Sequence, residues 1–390
     1  MTTPGSGYGY DRIPYLVMFE DKSDFRDTYG GVGEQVALEC YLLRPARPSK
    51  TAILFMHPIG GGAYLPMTNA LARAGHHVIY ANSRYRGADY ALIMEKVAQD
   101  LGAAIHDARE RLGYERIVLA GGSGGGSLSV FYPQQATVTS SPAGDPPDLT
   151  REVMPPADAL LLLAAHVSRH GTLTEWMDPS ILDESDPAKR DPELDLYHPE
   201  NPNQPPYSEE FLSRYRAAQI ERNRRITRWV RDTLDGLKAS GRPLDERGFV
   251  VHGTMADPRW LDPAVDPNDR EPGTCYLGDP RVVNMGPVGL ARFSTLRSWL
   301  SQWSYDDARA DGDACGRDIA VPTLVIGNTA DNACTPSHTR RLYEAIGHPD
   351  KERYEVRGAT HYYNGPEQRP MLREAVAKIT AWLSEHDLSD

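Results

Sequence analysis

The sequence predicts an α/β architecture, a mostly parallel sheet flanked by helices, with a large and mainly helical insertion late in the chain. Three observations predict it. Short apolar, β-branched runs alternate with segments of helical period, as in parallel strands joined by crossover helices. The alternation stops after Ala165 and resumes only at Thr323, leaving a stretch as long as a small domain. A composition of 40% hydrophobic and 25% charged residues, with a mean hydropathy of -0.51, suits a buried core rather than disorder.

Taken in order, Tyr15–Glu20 and Val36–Leu43 read as antiparallel edge strands before the first crossover. The strands that follow are Ala52–His57, His77–Ala81, Arg116–Gly121, Ala159–Ala165, Thr323–Gly327 and Arg353–Val356. Between the fourth and fifth of these eight runs, Ile93, Val97, Leu101, Ile105, Ala108 and Leu112 recur at steps of three or four, which puts them on one helix face. Met371, Leu372, Ala375, Val376, Ile379, Trp382 and Leu383 do the same for a closing helix. The SSPAGDPPD stretch after Thr139 reads as a surface excursion, because Pro and Asp interrupt regular backbone. We expect one unit from residues 1–166 and 321–390, and an inserted cap at 167–320.

The insertion opens with a Pro- and Asp-rich run over Asp178–Pro206, continues into a long Arg-rich helix over Ser208–Leu237, and has a second helical stretch near Leu290–Trp303. Trp176, Trp229, Trp260, Trp299 and Trp303 all fall in it, either as a small core or as the aromatic wall of a pocket, and the core is favoured. The arginines from Arg214 to Arg231 are diluted by Glu209, Glu210, Glu221 and Asp232, so they read as a salt-bridged face rather than a phosphate site.

A net charge of -12 opposes any general affinity for nucleic acid or an anionic membrane, since both need a basic face. No apolar run is long enough to span a bilayer, and the first residues lack a signal-peptide pattern, so a cytoplasmic protein is expected. Cys40, Cys275, Cys315 and Cys334 show no C-x-x-C spacing, which supports neither a zinc site nor a redox motif; buried, reduced thiols are expected.

Four motifs carry chemistry. In Arg116–Tyr132 a strand ends in Gly121-Gly122-Ser123-Gly124-Gly125 and a helix follows, which is G-x-S-x-G at a strand-to-helix turn. The flanking glycines remove side chains that would clash with a strained nucleophile, and Gly124 offers a backbone N–H to developing negative charge. Upstream, Ile53–Gly62 runs a strand into His57-Pro58-Ile59-Gly60, where the N–H of Ile59 is the first choice for a second such donor and that of Gly60 the next. His57 itself is expected to fix this loop by hydrogen bonding. Downstream, one strand leads to Asp331 and another to His361, in the chain order Ser, Asp, His. A serine needs a base to take its proton, histidine suits that task, and a carboxylate fixes the tautomer of the histidine.

With GGSGG, HPIGGG, ADNACTP and GATHYY in hand, the chain outside the insertion resembles the α/β-hydrolase superfamily, although Pro58 stands where many of its esterases have glycine. The resemblance implies an eight-stranded, mostly parallel sheet with a cap after strand six. It implies a triad of Ser123, Asp331 and His361 and oxyanion donors at Gly124 and Ile59, with no metal and no organic cofactor. The expected activity is hydrolysis of a carboxylic ester or lactone of a medium-sized, partly apolar small molecule through an acyl-enzyme. The same triad admits a thioesterase, an amidase or a carbon–carbon hydrolase, and a binding protein that has lost turnover is the reading from another class. His57, Ser127, His166, Trp176, Tyr362 and Tyr363 are candidates to line the pocket, while Arg84 and Arg86 are expected to brace loops. The partner is a small molecule, and a homo-oligomer is left open.

Overall fold

The computed structural model describes residues 9–21, 26, 28–29, 31–139 and 147–389. Most of the expected excursion after Thr139, residues 140–146, lies outside them. The main sheet consists of β1 (Tyr10–Glu20), β2 (Gln35–Pro45), β3 (Thr51–His57), β4 (His77–Asn82), β5 (Arg116–Ser123), β6 (Ala159–Ala165), β7 (Thr323–Asn328) and β8 (Lys351–Val356), with a two-residue ladder at Gly31–Val32 against β2. Their spatial order is β1-β2-β4-β3-β5-β6-β7-β8. The β1–β2 and β2–β4 pairings are antiparallel, and every later pairing is parallel. This is the eight-stranded, mostly parallel sheet that the resemblance implies.

The strands from β3 to β7 read as unbroken apolar runs because both faces of the sheet are covered. Leu54, Met56, Leu119, Leu160 and Leu162 point into one core with α2 (Met94–Glu110) and α3 (Gly125–Thr137). Ile53, Phe55, Val118, Ala120, Leu161 and Leu163 point into the other with α1 (Pro66–Arg73) and α7 (Arg369–Glu385). The period of two along each strand thus feeds two helical layers. The edge strand β1 begins five residues earlier than its apolar run suggests, because its first half alternates exposed Asp11 and Arg12 with partly buried Ile13 and Tyr15.

The insertion follows β6. It opens with α4 (Arg169–Trp176), whose Ser168 N-cap accepts from the Gly171 N–H, and continues with α5 (Glu209–Ala239), capped in the same way by Ser208. Each arginine of the expected salt-bridged face, Arg214, Arg216, Arg222, Arg224, Arg225, Arg228 and Arg231, lies beside a carboxylate. The stretch near Leu290–Trp303 is not one helix. It starts as a short strand, Phe293–Thr295, paired antiparallel with Gly248–Val250, and only then winds over Leu296–Trp303, ending in a wide π turn. Trp299 and Trp303 are fully buried against Leu173, Ile226 and Val230, whereas Trp229 is half exposed. All four cysteines are unpaired and buried. Among the described residues no helix is long and apolar enough to cross a membrane.

Candidate active site

The carboxyl ends of β3, β5, β7 and β8 carry the four motifs, so residues far apart in the chain meet at one edge of the sheet. Ser123 closes β5 with φ at 52°, in the left-handed region that a side chain makes costly. The elbow is tight. A Cβ built on Gly121 would lie 2.4 Å from Ser129 Oγ, and one on Gly125 would lie 2.9 Å from the Met56 carbonyl oxygen, so both neighbours must be glycine. Ala164 and Tyr363, with φ of 44° and 55°, share this strained backbone and line the same cavity as Ser123.

His361 Nδ1 lies 2.7 Å from Asp331 Oδ2. Asp331 is fully buried, and its other oxygen accepts from the N–H groups of Ala333 and Cys334 at 2.7 and 2.9 Å. The carboxylate is therefore fixed at both oxygens, and His361 Nε2 has no hydrogen-bond partner among the described residues. The insertion reaches down to hold this acid loop: Asn268 Nδ2 donates to the Asp331 carbonyl at 2.7 Å, and Trp260 Nε1 donates to the Asn332 carbonyl at 2.7 Å. Cys334 Sγ lies near the ligand atoms of Asp331 and His361. Burial and then the Asp331 charge hold the Cys334 thiol well above its ordinary value, so it stays protonated and is a poor metal ligand.

Two cavities meet at Ser123 and His361. The larger, about 310 Å³, is walled chiefly by apolar and aromatic groups such as Phe55, Met67, Tyr80 and Leu163. The smaller, about 110 Å³, lies under the insertion between His166, Trp176, Tyr276 and Trp303 and contains Asp89 and Arg169. His57, Ile59 and Tyr362 border both. Burial pushes the Tyr362 phenol up, and its hydrogen bond to Ser123 acts the other way.

The remaining expected residues divide. Tyr363 borders the larger cavity and donates to Asn328 Oδ1 at 2.7 Å. His166 and Trp176 border the smaller one, edge to face at 5.7 Å, and burial holds His166 neutral. Ser127 does not face either cavity: it is fully buried within α3, where its hydroxyl donates to the Gly124 carbonyl at 3.1 Å. Arg84 braces a loop from within, paired to Asp21 and Asp100 with its side chain almost wholly buried.

The upstream loop is arranged otherwise than its motif suggests. The Gly60 N–H closes a turn onto the His57 carbonyl at 2.8 Å, and the Ile59 N–H donates to His57 Nδ1 at 3.2 Å. Both groups expected to face a carbonyl oxygen are thus engaged within their own loop. Gly124 N–H has no acceptor among the described residues.

Arg169 and Asp89 were not singled out by the sequence. Arg169 is 5% exposed, stacked 4.4 Å from the Trp303 ring centroid, and donates to Gln302 and Asp89 at 3.1 and 3.0 Å. Burial lowers the arginine and raises the aspartate, each being penalised for losing water. Only the position of Arg169, just after the sixth strand and its Ser168 cap, hinted at a place near the site.

Neither a protein-family model nor a curated protein matches the chain. Solved structures that it resembles include Est1E from Butyrivibrio proteoclasticus, at 13% identity over 90% of this chain and 94% of that one with a TM-score of 0.45. A monoacylglycerol lipase from Paleococcus ferrophilus is similar at 17% identity, over 86% and 94%, with a TM-score of 0.42. The α/β hydrolase GrgF from Penicillium sp. sh18 is similar at 12% identity, over 94% and 99%, with a TM-score of 0.49.

Proposed function

We propose, from a chain whose own sheet order and late insertion give it the α/β-hydrolase fold, that this protein is a serine hydrolase acting by acyl transfer on a carboxylic ester or lactone. The observation that carries the reading is a strained Ser123 that lines two cavities together with His361, which is itself held by Asp331 at 2.7 Å. His361 takes the Ser123 proton as the hydroxyl attacks the carbonyl, then returns it to the leaving alkoxide; a water activated by the same imidazole releases the acid. Asp331 keeps the proton of the neutral imidazole on Nδ1, so that Nε2 is the acceptor. Gly124 N–H, which has no acceptor among the described residues, stabilises the oxyanion.

The apolar walls of the larger cavity suit a medium-sized, partly apolar arm of the substrate, and the smaller cavity admits only a short one. The test is Ser123→Ala with a panel of short nitrophenyl esters, together with labelling by a fluorophosphonate probe. Loss of turnover by at least about 10³-fold and loss of the label are expected. Undiminished turnover, or a parent protein that never reacts with the probe, would end the proposal.

A further inference from the structure

A tetrahedral intermediate on Ser123 needs its oxygen held by more than one donor. Gly124 N–H is one, and the loop N–H groups of Ile59 and Gly60 are both engaged elsewhere. We propose that His57 is itself a catalytic residue, donating its Nε2–H to the oxyanion beside Gly124 N–H, with the Arg169 cation behind it. This rests on the reading of Ser123 as nucleophile.

The tautomer follows from the loop. His57 Nδ1 accepts the Ile59 N–H at 3.2 Å, so its lone pair is in use and the proton of the neutral ring resides on Nε2. The ring stays neutral because burial, then the charges of Arg169 and His361, push its pKa down to about 3. A neutral imidazole at an electrophilic position polarises a carbonyl without competing with His361 for protons.

The location follows from Gly124. A Cβ on that residue would stand 2.9 Å from His57 Nε2 and 3.1 Å from Arg169 Nη1. Both side-chain nitrogens therefore pack close against the backbone of Gly124, and His57, Arg169, Gly124, Ser123 and His361 all line the smaller cavity. Arg169 Nε and Nη2 are held by Gln302 and Asp89, whereas Nη1 has no acceptor among the described residues and lies close to Gly124. Buried at 5% exposure, that cation acts in a poorly screened medium where developing negative charge is worth most.

In the step itself, the Ser123 oxygen forms a bond to the carbonyl carbon and its proton passes to His361. The π pair of the carbonyl becomes the oxyanion lone pair received by Gly124 N–H and His57 Nε2–H. Collapse restores the carbonyl and expels the alkoxide, which leaves with the proton from His361.

The alternative is that His57 only anchors its loop, and His57→Asn separates the two. Asparagine keeps an acceptor for the Ile59 N–H, in the manner of an Asx turn, but is too short to place a donor at the Nε2 position. His57→Gln retains reach and an N–H. We expect H57N to lose about 10²–10³-fold in kcat on nitrophenyl esters with KM within about threefold, and H57Q to lose about tenfold or less. A trifluoromethyl ketone, whose hemiketal adduct with the Ser123 oxygen carries the oxyanion, should weaken for H57N by the same factor as kcat. An H57N enzyme within about threefold of the parent in both readouts overturns the proposal while leaving Ser123 in place. A Ser123→Ala variant that still turns over overturns both. Should H57N fail to fold, His57→Ser takes its place, since serine also offers a short acceptor to the Ile59 N–H without reach to the Nε2 position: a loss of about 10²-fold or more in kcat and in ketone affinity supports the donor, and values within about threefold of the parent overturn it.

Discussion

At the scale of single residues, the site depends on what small groups leave room for. Replacing Gly124 by Ala would drive a methyl group to within 2.9 Å of His57 Nε2 and 3.1 Å of Arg169 Nη1, forcing both aside. Turnover should fall by about 10–100-fold while the thermal midpoint moves by only about a few degrees, which paired kinetics and calorimetry would check. Asp331→Asn keeps the packing but offers an N–H₂ or a neutral oxygen where the imidazole needs a carboxylate. We expect kcat to fall about 10³–10⁴-fold with the protein still folded by circular dichroism. The sequence singled out Ser123, Asp331 and His361 because each stands at or shortly after the end of a strand in a fixed chain order, and the fold brings His361 to Asp331. It did not reveal that Ile59 and Gly60 turn their N–H groups inward, since a hydrogen bond from Ile59 to the ring of His57 leaves no trace in composition or spacing. Nor did it mark Arg169, because a buried cation and a surface cation are the same letter.

At the scale of elements, the insertion grips the acid loop. Asn268 and Trp260 each donate to a carbonyl in the Asp331–Asn332 segment, and Thr329, just before it, donates to Asp269 at 2.5 Å. Asn268→Ala should cost about 1 kcal/mol in urea unfolding and reduce ester turnover several-fold with little change in KM, because the carboxylate loses part of its support rather than the substrate a contact. The strands β3 to β7 were readable as unbroken apolar runs, and the helices α2 and α7 because their apolar residues keep a single period over many positions. The Asp262–Gly273 segment, which supplies Asn268 and Asp269 to this grip, has no period at all. Its Pro and Asp residues mark an irregular path but not its destination. The segment near Leu290 changes from strand to helix within ten residues, so its apolar spacing averaged two periods and suggested only one.

Across the whole molecule, neutral histidines kept from water couple folding to acidity. His57 has a folded pKa near 3 against about 6.5 unfolded, so between these values the unfolded chain binds more protons. Stability therefore falls as pH drops from about 6.5 toward 3, and His166, also lowered by burial, adds to the same slope. Melting curves at pH 7 and pH 4.5 should show a smaller drop in midpoint for H57N than for the parent. The general α/β plan and the place of the insertion were legible in the sequence; the meeting of two cavities at Ser123 was not, since it depends on how the inserted segment settles over the sheet.

The hold of the insertion on the acid loop also bears on traffic. If the inserted segment swung away as a rigid flap, Asn268 and Trp260 would leave with it and strip the acid loop of two hydrogen bonds. Admitting a ligand by that route would cost the acid loop this support at each opening. The larger cavity meets the surface elsewhere: Tyr64, three-quarters exposed, and Asn364, also exposed, line it from loops that follow strands of the sheet. Entry and exit past that tyrosine would let the lid stay shut through successive turnovers.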